Sequence, residues 1–124
     1  MTDSRKIRLL QLVSLKREVE HRDAALALSH ALSRETKASE LSLKTTRLAK
    51  EYGDKTDATS ADQLRAQRGM VSHLLTLSEQ ARQGADFATK AFENARSVEH
   101  TKRRQRDLVV DALDAARRIG TNLD

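Results

Sequence analysis

The chain has 124 residues, no proline, cysteine or tryptophan, a single tyrosine and two phenylalanines, with a formal net charge of +5. That length fits one domain, and the lack of cysteine excludes a disulfide framework and favours a reducing compartment. No run of apolar residues approaches the ~18 needed to cross a bilayer and none has secretory character at the N-terminus, so a cytoplasmic protein is expected.

Residues 5–51 contain neither proline nor glycine and are rich in Ala, Leu, Arg, Lys and Glu, which predicts a helix over about 5–52. Apolar positions recur at Leu12, Leu15, Val19 and Leu26, then at Ala31, Ala38, Leu41, Thr45, Leu48 and Tyr52. These three- and four-residue steps mark one sticky stripe, with a change of phase between Leu26 and Ala31.

The stretch GDKTDATS, residues 53–60, is the one place where this pattern stops. Gly53 is suited to a left-handed helix-ending conformation. Ser60 and Gln63 have the spacing of a capping box, and Asp57 and Asp62 set negative charge near the next helix N-terminus. A turn over 53–59 is expected, followed by a helix over about 60–119.

In this second segment Val71, Leu74, Ser78, Ala81, Ala85, Ala88, Phe92 and Ala95 keep strict heptad spacing. The next apolar position is Val98. From there Lys102, Gln105, Val109, Ala112, Ala116 and Ile119 continue in a shifted phase. Gly69 and Gly84 lie within the helix, as points of close helix approach or as tolerated weak points.

Helices with one apolar stripe each need a partner, and a short connection makes them neighbours. The expected fold is all-α: a long antiparallel two-helix coiled-coil hairpin, one domain over residues 1–124. A centre near residue 56 pairs Leu41 with Val71 and Arg5 with Asp107, leaving the last helical residues unopposed. A three- or four-helix arrangement, or pairing of two chains, is the competing architecture. Leu9, Leu10, Leu28, Leu32, Leu75, Leu77 and Leu113 are surplus to a hairpin seam and are candidates for contact with another molecule.

No glycine-rich phosphate loop is present, and His21, His30, His73 and His100 lack i,i+4 ligand partners. They read as surface or rim residues, no cofactor or metal is expected, and a helical rod offers no dry pocket for a nucleophile and base. The basic surplus lies toward both ends of the chain, densest at Lys102-Arg103-Arg104-Gln105-Arg106. That run fits nucleic-acid phosphates, an acidic protein or a solvated face. Arg5-Lys6-Ile7-Arg8-Leu9-Leu10 is similar to the start of a membrane-surface helix but is short for anchoring.

From Lys6-Ile7-Arg8-Leu9-Leu10-Gln11-Leu12 through Ala24-Ala25-Leu26-Ala27-Leu28, and again from Ala95-Arg96-Ser97-Val98-Glu99 through the basic run, the chain resembles the FliJ family of flagellar export proteins and their virulence-secretion counterparts. The resemblance spans nearly the whole chain, by pattern and not by a rare motif. It implies a non-enzymatic cytoplasmic component of a type III or flagellar export apparatus, peripheral to the inner membrane through its partners. Such a component acts as a central stalk in a hexameric export ATPase and links it to the cytoplasmic domain of the export gate, with export chaperones as further partners. By position, Arg5, Arg8, Lys102, Arg103, Arg104 and Arg106 would face the ATPase, and Leu41, Leu48, Tyr52, Val71 and Leu74 the gate. A coiled-coil adaptor or chaperone of another bacterial complex is the alternative, and a basic nucleic-acid-binding protein a third reading.

Overall fold

The structure, a computed structural model, describes residues 2–55 and 59–122. Two helices account for almost all of them: α1, Thr2–Gly53, and α2, Ala61–Asn122. Each runs a few residues further outward than the sequence predicts, because no residue at the outer ends breaks the helix. The two helices pack extensively against each other, and the chain divides into two compact units. A turn unit comprises Ala31–Phe92, and a terminal unit comprises Met1–His30 with Glu93–Asp124.

In the turn unit, α1 ends through Asp54 N–H donating to Lys50 O (2.9 Å) and Lys55 N–H donating to Tyr52 O (3.4 Å). Gly53 stays helical: no residue described has a positive φ, so the expected left-handed ending does not form. The side-chain amide of Gln67 does that work instead, donating to Tyr52 O at 2.9 Å and Lys55 O at 2.5 Å. It thereby caps the Tyr52 carbonyl, which the helix end leaves without an intrahelical donor, and ties down the Lys55 carbonyl just beyond the helix. The Nζ of Lys55 lies 4.4 Å from the centre of the Tyr52 ring, within cation–π range.

The start of α2 follows the sequence signal with one shift. Ser60 Oγ accepts from Gln63 N–H (3.1 Å), while Gln63 Oε1 reaches back to Thr59 N–H and Thr59 Oγ1, both at 2.8 Å. The reciprocal bond therefore lands one residue earlier than in the usual capping box. Leu64 N–H donates to Ser60 O, which makes Ser60 the cap, and Asp62 supplies the acid in the first turn. Asp57, expected to add to it, lies outside the described residues, as does the middle of the expected turn.

Inward-facing residues of the turn unit are Ala31, Glu35, Ala38, Ser42, Thr45, Ala49 and Tyr52 on α1, against Gln67, Val71, Leu74, Ser78, Ala81, Ala85, Ala88 and Phe92 on α2. The heptad reading of α2 holds here. The strand of expectation that fails is the pairing: Thr46 Oγ1 and Ser78 Oγ are 2.8 Å apart, and Leu41 shares a groove with Ala81, not Val71. The register is displaced by about three helical turns, because the first turns of α2 lie outside the seam and Gln67 is its first inward residue.

The terminal unit is antiparallel too, since Arg17 meets Gln105 and His21 meets Glu99. Arg5 is therefore not opposite Asp107, and the unopposed overhang of α2 disappears. Its inward residues are Ile7, Leu10, Ser14, Arg17, His21, Ala24 and Leu28 on α1, with Ala95, Glu99, Lys102, Arg106, Val109, Leu113 and Ala116 on α2. Both sets keep heptad spacing, the period of a left-handed coiled coil.

Both phase shifts read from the sequence are thus corrected. On α1 the stripe of Leu12, Leu15, Val19 and Leu26 faces solvent, 50–65% exposed. On α2 Glu99 and Leu113 take the inward places expected for Val98 and Ala112, and Ile119 is exposed. Of the surplus leucines, Leu10 and Leu28 join the seam and Leu113 is buried, while Leu9, Leu32, Leu75 and Leu77 remain outside.

The buried apolar core is small, with Ala24, Ala49, Leu74 and Leu113 its only members among the described residues. The chain exposes 9732 Å², against roughly 6,700 Å² for an average folded monomer of its mass. Gly69 and Gly84 do not mark close approach: a Cβ built at either would have no heavy-atom neighbour within 4 Å. Gly69→Ala and Gly84→Ala should each raise stability by about 0.5–1 kcal/mol, since both sites are helical and unobstructed. Chemical denaturation checks this, and a loss of stability would indicate a helix contact that the open space around these glycines does not allow.

Candidate functional site

The most distinctive chemistry among the described residues lies in the seam of the terminal unit, where the heptad places polar side chains inward. Glu99 is 6% exposed and is the buried charged residue of the seam. Arg103, one turn further along α2, donates to Glu99 Oε1 from Nε (3.1 Å) and Nη2 (2.8 Å), and to Oε2 from Nη2 at 2.6 Å. From α1, His21 places Nε2 3.0 Å from Glu99 Oε1. Arg106 Nη1 lies 3.0 Å from the other ring nitrogen, Nδ1.

The tautomer of His21 follows from these contacts. A guanidinium can only donate, so Nδ1 accepts from Arg106 and Nε2 carries the proton donated to Glu99. The imidazole thus bridges a cation and a carboxylate across the two helices. Around it, Arg17 Nη1 donates to Glu20 Oε2 (2.9 Å) and to Gln105 Oε1 (3.3 Å). Lys102 Nζ sits 3.6 Å from Glu20 Oε2, and Arg106 reaches Asp107 at 3.1 Å and Glu18 at 4.0 Å. No buried side-chain polar atom among the described residues lacks a hydrogen-bond partner. Such closure is what makes polar groups tolerable in a seam, because each unpaired one would carry its full desolvation cost.

Hydrogen bonds from Arg103, and then from His21, hold the Glu99 carboxyl at about 2, well below its ordinary 4.5, against the opposing effect of burial. The Arg103 guanidinium is correspondingly raised by Glu99. Glu20 is lowered as well, chiefly by its hydrogen bond from Arg17.

This arrangement is suited to fixing register. Both nitrogens of His21 are committed, so neither offers a lone pair or a mobile proton to a substrate. Among the described residues no group of three His, Cys, Asp or Glu side chains could hold a metal ion. Among the described residues no helix is long and apolar enough to span a membrane.

The residues expected to face an ATPase divide in two. Arg5, Arg8 and Arg104 are exposed. Lys102, Arg103 and Arg106 are engaged by Glu20, by Glu99, and by His21 with Glu18 and Asp107. Of the residues expected to face a gate, Leu74 is buried, Leu48, Tyr52 and Val71 are half-buried and Leu41 is exposed. Leu41 lines an open groove of the turn unit with Ala38, Thr45, Leu77, Ala81 and Gly84. His21 is not a rim residue, its side chain being 16% exposed, whereas His30, His73 and His100 are exposed as expected. The signal that finds Glu99 and His21 is the heptad itself: carried on strictly from Ala95 and back from Ala31, it lands on both. No family model, no curated protein and no solved structure matches the chain.

Ionised Glu99 contributes stability that is fully present above its unfolded value of 4.5 and is lost as pH falls toward about 2. The thermal midpoint should therefore drop across that interval, and Glu99→Gln should flatten the drop while lowering stability at neutral pH. Calorimetry of both proteins from pH 7 to pH 2 checks this, and parallel curves would show that Glu99 is not the group responsible.

Proposed function

We infer that the chain is a non-enzymatic coiled-coil docking component of a type III or flagellar protein export apparatus, acting as a central stalk in the hexameric export ATPase and joining it to the export gate. The observation that carries this reading is the hairpin itself: two long helices, a thin seam and a surface well beyond that of an average monomer of this mass. A chain built this way works through what binds its sides and ends. The FliJ-like pattern of its opening and closing segments supplies the particular machine.

On this reading the ATPase meets Arg5, Arg8 and Arg104, which are exposed and have no ion-pair partner among the described residues, while Lys102, Arg103 and Arg106 hold the seam together. The cytoplasmic domain of the gate meets the turn unit at the Leu41 groove. Export chaperones would compete for the same faces. The internal pairing of three of the four cations in the basic run weakens the nucleic-acid reading, which needs them for phosphates. A coiled-coil adaptor of another bacterial complex is favoured by one observation, the aliphatic stripe on the outer face of α1.

Arg5→Glu combined with Arg104→Glu should lower affinity for a hexameric export ATPase and steepen its loss with salt, with helicity unchanged by circular dichroism. Arg103→Glu is unsuitable for this purpose because it sets a carboxylate against Glu99. Titration of the purified ATPase ring against both proteins is the measurement. Undiminished binding would remove the basic end from the ATPase contact, and no binding by the unaltered chain would remove the stalk role.

A further inference from the structure

We propose that the outer face of α1 in the terminal unit is a docking surface for a single amphipathic α-helix of another protein, with carboxylates bracketing its apolar stretch. This goes beyond the export reading and stands whichever complex the chain serves. Residues 8, 12, 15, 19, 22 and 26 follow one another at alternating four- and three-residue steps, on the side of α1 opposite the seam residues Ser14, Arg17, His21 and Ala24. Leu12, Leu15, Val19 and Leu26 on this line are half or more exposed, with Leu9 at their side. The exposed face therefore has the same heptad period as the seam, and that period is what a further helix packs against.

Charge selects the occupant. Arg8 and Arg22 stand on the line itself at either end of the Leu12–Leu15–Val19 cluster, about 21 Å apart along the helix. Both are exposed, and neither has an ion-pair partner among the described residues. Arg5 and Lys16 add positive charge at the margin, with Lys16 reaching Glu20 only at 4.0 Å, and Asp23 is the single acid on the face. A second copy of the same face would set these cations against one another. A helix with two apolar heptads and a carboxylate beyond each end would meet Arg8 and Arg22 together. Because a cation stands at both ends, it can do so in either direction.

The test uses the full chain and two synthetic ~20-residue helical peptides with the same apolar heptads, one bracketed by glutamates fourteen positions apart and the other by lysines. Fluorescence titration at low and moderate salt should show saturable binding of the glutamate peptide, at least roughly tenfold tighter than the lysine peptide, with the gap narrowing as salt rises. Leu12→Gln with Leu15→Gln should abolish binding without loss of helicity, since both side chains are already exposed. Arg8→Glu with Arg22→Glu should reverse the preference between peptides. Equal binding of the two peptides, or binding of neither, would overturn the proposal. So would binding to anionic phosphatidylserine vesicles, or self-association in sedimentation, that depends on Leu12 and Leu15 while the glutamate peptide fails to compete.

Discussion

Glu99 can occupy the seam only because Arg103 pairs with its charge and Arg103 and His21 hydrogen-bond its carboxylate there. A carboxylate taken out of water without such partners would not stay ionised, and the helix face carrying it would turn toward solvent. With the partners in place, the heptad of α2 runs through Glu99 without a slip, and the terminal unit closes around a polar ladder. His21 joins the two helices within that ladder, accepting from Arg106 and donating to Glu99, beside the cross-helix contacts of Arg17 with Gln105 and Lys102 with Glu20. A polar residue at an inward position specifies register at a cost in stability, because any other alignment leaves it unpaired. The thin, alanine-rich seam elsewhere has little shape of its own with which to resist sliding.

Placing polar side chains inward leaves aliphatic ones outward. Leu12, Leu15, Val19 and Leu26 carry more apolar surface than Ser14, Arg17, His21 and Ala24, yet the latter set faces α2. The reason lies in continuity: the inward set shares its heptad phase with Ala31, Ala38 and Thr45, so α1 keeps one face inward along its length. Following the leucines would require the helix to shift its inward face near residue 30. An apolar stripe that the hairpin does not use is therefore a consequence of how the seam is built, and it gives the chain a second face with the period of a coiled coil.

The basic run is altered in meaning by the same geometry. As a string of letters, Lys102-Arg103-Arg104-Gln105-Arg106 is a concentrated positive patch. In the folded chain its members fan around the helix, and acidic residues of α1 and α2 take up most of them. Arg104 points away from the seam and remains available, together with Arg5 and Arg8 on α1. Electrostatic attraction for a partner is correspondingly more diffuse than the run alone would indicate, and it falls on both helices.

The helices, their boundaries to within a few residues, the capping signals at Ser60 and Gln63 and the inward positions from Val71 to Ala95 are all determined by the sequence itself. They depend on local terms: propensity, the side-chain capping of neighbouring amides and a 3.5-residue period carried by apolar residues. Only the tertiary structure decided the alignment of the two helices, the ending of α1 by Gln67 and the inward places of His21, Arg17 and Glu99. Each of these depends on what stands opposite in space. An apolar period can be read from one helix alone, whereas a buried carboxylate becomes plausible only when its histidine and arginine partners are known to face it. An apolar pattern alone therefore points to Val98 and Leu12, which face outward, and passes over the polar residues that face inward.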